Sequence, residues 1–213
     1  STESPGSAEI RVPGQLQDAG AVKVNGSPEK LKELNHLQGQ NDLGYQGTCG
    51  LVATEQVMKA NGLDVNENDV VFDAAQNGLC DTDSTPENNG GTSPGRISKI
   101  LEAAGIPNHV ESEKTMADLN QRVKDGKGVI AAVNAGELWE DPTYYGNGEA
   151  NHAVLVTGSA ENEQGGLLGF FINDSGTNES GKFVDTKKML AAWEQTGGIM
   201  NVTDQPLLAN QTG

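Results

Sequence analysis

Apolar residues recur at helical spacing through the first half of the chain and gather into short unbroken runs in the second. Leu51, Val52, Val57 and Met58 offer one face of a helix over Thr48–Ala60, with Gly62 as its stop. A second helix is predicted over Glu67–Asn77, ending at Gly78. The third has the firmest punctuation: Thr92-Ser93 as cap, Pro94 in the first turn, Ile97, Ile100 and Leu101 inward, then Gly105. A fourth opens at Thr115, with Asp118 as its capping-box partner, and closes at Gly126. Beyond it, Val129–Val133, Ala153–Thr157 and Leu167–Ile172 are apolar runs bounded by Gly, Asn and Asp, which read as buried strands. A helix over Thr186–Gln195 and a strand over Ile199–Val202 complete the pattern. Upstream, Pro28 opens a short helix over Glu29–Leu37, and Ala21–Val24 reads as a short strand.

Helices first and sheet second is an α+β order, not a βαβ alternation. One domain is expected over residues 29–205, after a linker-like arm (1–28) rich in Ser, Gly, Pro and Gln, and before a tail (206–213). The start at Ser1 reads as that of a processed product or an excised piece. The 213 residues suffice for one core, and with 35% hydrophobic and 4% aromatic content that core is built from small aliphatics. The formal charge of −16 argues against a nucleic-acid partner, which needs a basic face. The acid is clustered. Seven acidic residues and no basic one lie between Lys59 and Arg96; eight and none lie between Lys127 and Lys182. A solvated acidic surface accounts for this, with a basic substrate as the alternative. No apolar run reaches the length of a membrane span, so no membrane partner is expected.

Cys49 falls at a helix start, in Gly47-Thr48-Cys49-Gly50, where the helix dipole and free N–H groups favour the thiolate. The flanking glycines would let a substrate backbone approach closely. Two cysteines are too few for a disulfide framework, and Cys49 is expected to be a free thiol. Of three histidines, His36 and His109 read as surface residues, whereas His152 heads an apolar strand and could be held rigidly as a base. Asp174 follows another apolar run and could orient that base, with Asn173 as the alternative. An oxyanion would need the Cys49 N–H and an upstream amide, Gln46 ahead of Gln40. Trp139, Tyr144 and Tyr145 lie in a Gly-rich loop before His152; Trp139 and Tyr145 are candidates for contacting substrate. No metal or other cofactor is expected: the stretch Asp64–Asp69 lacks the Gly and the closing Glu of a calcium loop, and no zinc spacing occurs. Asp81, Asp83 and Glu87 read as a solvated acidic loop.

These residues carry a family resemblance. The order Cys, His, Asp resembles the papain-like cysteine peptidases, in particular the C39-like branch and the papain-fold toxin domains of bacterial secreted effectors. The matching stretches are Gly47–Leu51, Gly90–Ser93, Leu101–Ile106, Gly126–Ile130, Asn151–Val154 and Ile172–Asp174. The resemblance implies a papain-like fold, with the Cys on an N-terminal helical half and the His and Asp on a C-terminal antiparallel sheet. It implies Cys49 as nucleophile, His152 as base and Asp174 as orienter in a cysteine endopeptidase acting on a protein substrate. It implies further a toxin module, secreted or delivered into the target-cell cytoplasm and paired with an immunity protein. A Gln deamidase or acyltransferase using the same triad, or a non-catalytic binding module, is the alternative. The family's oxyanion Gln would fall on Leu43 here, with Gln40 and Gln46 each three residues to either side.

Overall fold

A computed structural model of the chain describes Leu16 and residues 20–211. In chain order its elements are β1 (Val22–Gly26), α1 (Pro28–Leu31), α2 (Cys49–Ala60), α3 (Glu67–Gln76), α4 (Pro94–Ala103) and β2 (Asn108–Glu111). There follow α5 (Met116–Lys124), β3 (Lys127–Val133), α6 (Ala135–Trp139), β4 (His152–Asn162), β5 (Leu167–Asp174), β6 (Glu179–Asp185), α7 (Thr186–Ala192) and β7 (Met200–Pro206). The strands form one antiparallel sheet in the order β2-β7-β3-β4-β5-β6. The long strand β4 is its spine: β3 pairs with His152–Val156, and β1 takes over the same edge along Gly158–Asn162. The opposite edge of β4 carries β5.

Both faces of the sheet are covered, as its alternating side chains dictate. Ile130 and Leu155 point to one face and pack with Leu51, Val57, Val71, Ile97 and Leu101 of α2, α3 and α4. Val129, Val154, Phe170 and Ile172 point to the other, against Leu119 of α5 and Met189 of α7. The capping boxes at Asn66–Asp69 and Thr115–Asp118 and the Ser93 cap hold the starts of α3, α5 and α4. The α+β, papain-like architecture is therefore as the sequence implied.

Several expectations are corrected. The helix over Glu29–Leu37 stops at Leu31 and tightens into a 3₁₀ turn at Lys32–Leu34. His109 is exposed, as expected, but belongs to the edge strand β2, which the sequence did not reveal, and is bonded to Asp204 and Glu111. The linker-like arm gives way at Val22, because β1 satisfies its backbone on β4. The tail is packed as well: Leu207 is buried, its N–H donates to Gly126 O, and the Asn210 amide donates to the same carbonyl. The strand β6 and the helix α6 have no counterpart in the sequence reading; β6 is half polar, and α6 is too short for periodicity to reveal.

Candidate active site

The start of α2 faces the ends of β4 and β5 across a cleft of about 860 Å³. Helix α2 is buried along almost its whole length, so the fold fixes where its first residue sits. Gly47 and Gly50 line the cleft and are also required by the protein's own packing. A Cβ on Gly47 would lie 2.8 Å from Asn88 O and 2.9 Å from Glu87 O; one on Gly50 would lie 2.8 Å from Thr92 Cγ2. Thr48 does not cap the helix with its side chain. Its hydroxyl instead donates to Glu67 Oε2 (3.3 Å) and accepts from the Gly39 N–H (3.1 Å).

His152 and Asp174 project from the same face of neighbouring strands as Val154 and Ile172. His152 Nε2 lies 2.8 Å from Asp174 Oδ1, so Nδ1 is the nitrogen left free for the neighbouring Cys49 thiol. Asp174 is fully buried and His152 is 9% exposed. Two further donors hold the carboxylate: Trp139 Nε1 to Oδ2 at 2.7 Å, and the Gly176 N–H to Oδ1 at 2.9 Å. The Trp139 ring also meets the imidazole edge-on, with centroids 5.0 Å apart.

The electrostatics favour an ion pair. Burial pushes the Cys49 thiol up, but the positive charge and hydrogen bond of His152, with backbone bonds from Ala153 and Gly50, bring it below its ordinary value. Burial opposes the charged form of His152 too, yet the Cys49 charge and the Asp174 bond raise it to about 10. Asp174 is held low: burial acts against this, and the His152, Trp139 and Gly176 bonds outweigh it. A thiolate beside an imidazolium is the nucleophilic form of such a pair.

Asn173 is no orienter: it points to the opposite face, where its amide donates to Leu31 O and Gln56 Oε1. Gln46 does not reach the cleft either. Its exposed side chain packs over Gly39, where a Cβ would lie 2.7 Å from Oε1, and Gln40 is equally outside. The glutamine that does line the cleft is Gln38, which the sequence reading missed. Its N–H donates to Ser175 O, its Nε2 donates to Gln46 O (2.7 Å), and its Oε1 accepts from Ser175 Oγ. An eleven-residue offset along an irregular segment leaves no periodic signal for it. Trp139 does line the cleft, but Tyr145 does not; Tyr144 does, edge-on to Trp139, while the Tyr145 ring lies over Gly148. Cys80 is free and buried. Among the described residues no cluster of metal-binding side chains occurs, and no helix is long and apolar enough to cross a membrane.

Both stretches without Lys or Arg become walls of the cleft: residues 81–94 on the helical side, and Ile130 through Ala153 on the sheet side. Arg96, next to the first, is tied to Asp81 at 3.1 Å.

A helical half presenting a thiol to a His–Asp pair on an antiparallel sheet defines a papain-like cysteine peptidase. The Peptidase_C39 like family matches residues 34–201, and the chain belongs to that family. Among solved structures, a Bacillus anthracis protein assigned to the C39-like peptidases is 15% identical with a TM-score of 0.55, covering 87% of this chain and 99% of its own. A double glycine motif protease from an AMS/PCAT transporter, in complex with its leader peptide, is 14% identical with a TM-score of 0.47, covering 74% and 84%. No curated protein matches the chain.

Proposed function

We propose that the chain is an endopeptidase in which Cys49, His152 and Asp174 form the triad and Gln38 assists the oxyanion. The observation that carries this is His152, held by Asp174 at 2.8 Å on one nitrogen and close enough to Cys49 for its charge to lower the thiol. The Cys49 thiolate attacks a peptide carbonyl carbon, forming the C–S bond. The oxyanion is met by the Cys49 N–H at the helix start and by the second Nε2 hydrogen of Gln38. The C–N bond then breaks as His152 gives its proton to the leaving amine. Water attacks the thioester, returns a proton to His152 and releases the carboxyl product. A cleft open across both walls fits an extended polypeptide. Resemblance to toxin modules supports a delivered bacterial effector that acts in the target-cell cytoplasm and is neutralised by an immunity protein.

The test is incubation with an internally quenched peptide library, followed by mass spectrometry. Fragments from the wild type, absent with Cys49→Ala, are expected. A gain of about one dalton on Gln without cleavage would instead mean deamidation by the same thiol. Iodoacetamide should label Cys49 at neutral pH, about 10²-fold more slowly in His152→Ala. An unreactive Cys49 would overturn the proposal in favour of a binding module.

A further inference from the structure

We propose that His36 is a positioning residue of this peptidase: as the imidazolium it fastens residues 35–41 to α2 and α3 and so holds Gln38 at the cleft. The inference rests on the reading of Gln38 as oxyanion donor. His36 is half-buried, not simply a surface residue, and has an acceptor at each ring nitrogen. Nδ1 lies 3.0 Å from Leu37 O, and Nε2 lies 2.9 and 3.2 Å from the two Glu55 oxygens. A neutral imidazole has one N–H and can serve only one of these; the imidazolium serves both.

Beneath the ring lie two carboxylates almost without solvent, Glu55 at 1% and Glu67 at 2% exposure. Lys59 reaches Glu55 at 2.8 Å. Glu67 Oε2 accepts from the Asn41 amide (2.7 Å) and the Thr48 hydroxyl (3.3 Å). Its Oε1 is buried without a hydrogen-bond partner, and His36 Nδ1 stands 3.9 Å from it. Glu55 and Lys59 from α2 and Glu67 from α3 are thus the charged groups around His36. Two buried negative charges are balanced by Lys59 and by His36, and losing either cation leaves one uncompensated.

The same carboxylates hold both ends of the machinery. Glu67 bonds Thr48, immediately before Cys49, and Asn41; His36 sits two residues before Gln38. Bonding to Glu55 raises the His36 pKa above its ordinary value; burial opposes this, while Leu37 O and the charges of Glu55 and Glu67 support it. The doubly hydrogen-bonded ring therefore keeps its proton to a higher pH than a free imidazole and loses it as pH rises through that raised value. Once neutral, it gives up one of its two bonds, and the segment bearing Gln38 slackens. The transition state loses an aligned donor while ground-state binding is little affected.

The experiment is the pH dependence of kcat and KM for one cleaved library peptide, with Cys49 alkylation measured in parallel. Wild-type kcat should show an alkaline limb above pH 6.5 but below the limb of His152 at about 10. His36→Gln should lower kcat about 10-fold, abolish that limb, and leave KM and the alkylation profile unchanged; in a Gln38→Ala background it should change nothing further. If His36→Gln does not fold, Glu67→Gln removes one of the charges that hold the proton and should move the limb to lower pH. An unchanged kcat profile in His36→Gln, or an alkylation profile that shifts with it, overturns the inference. A Gln38→Ala variant with full kcat would overturn the oxyanion reading itself.

Discussion

The bond from Trp139 to Asp174 offers a direct measure of how far support behind the proposed triad reaches the chemistry. Trp139→Phe removes the Nε1–H that donates to Asp174 Oδ2 at 2.7 Å and keeps an aromatic ring near His152. Asp174 is fully buried, so water does not replace the lost donor. A hydrogen bond to a buried charged group contributes about 1.5–3 kcal/mol. With tenfold in rate per roughly 1.4 kcal/mol, kcat/KM should fall about 10- to 100-fold if the loss is felt in the transition state. The carboxyl should also rise toward its ordinary value, moving the acid limb of the pH profile upward. The assay is peptide cleavage across pH for the wild type, Trp139→Phe, Asp174→Ala and the double variant, with thermal melts to verify folding. In the Asp174→Ala background there is no carboxylate to support, so the Trp139 substitution should add nothing. An unchanged kcat/KM in Trp139→Phe, or an equal loss with and without Asp174, would refute the reasoning.

Leu155 is 1% exposed and joins the sheet to α2–α4, so Leu155→Ala should cost about 2–5 kcal/mol in urea unfolding. Glu111 accepts from Arg122 Nε and Nη2, both at 2.9 Å, and is held down to about 2 chiefly by that bond, against burial and with help from His109. A depressed carboxyl stabilises the fold above its unfolded value, and that stability is lost as pH falls from about 4.5 to about 2; Glu111→Gln should flatten this slope by about 1–3 kcal/mol. Among the described residues, no Lys or Arg lines the cleft and Glu87 on its wall has no ion-pair partner. Of two peptides differing by Lys for Glu, the Lys peptide should be cleaved faster at low ionic strength, with the gap closing in high salt.

Helices with strong punctuation were legible because their signals are local: the Ser93-Pro94 start and the Thr115 capping box need no tertiary partner. That Cys49, His152 and Asp174 would come together was legible for a related reason. A helix start and two strand ends are places where the chain fixes a side chain by local geometry. Gln38 and His36 were not, since both lie on an irregular segment shaped by distant groups, Ser175 and Glu55. One signal was present and passed over: Glu55 falls four residues after Leu51, on the apolar stripe of α2, where a carboxylate requires a partner. The edge strand β2 and the polar strand β6 take their identity from the strands beside them.

The chain order of the triad has a consequence for biosynthesis. Cys49 precedes His152 and Asp174 by more than a hundred residues, and the strands that carry them close the sheet late. While the chain is being made, the thiol leaves the ribosome without its base, as an ordinary thiol of pKa about 8.5 and mostly protonated. It acquires its charge only when β4 and β5 dock against α2. On the proposed mechanism, the newborn chain gains a reactive thiol only together with the cleft that confines it.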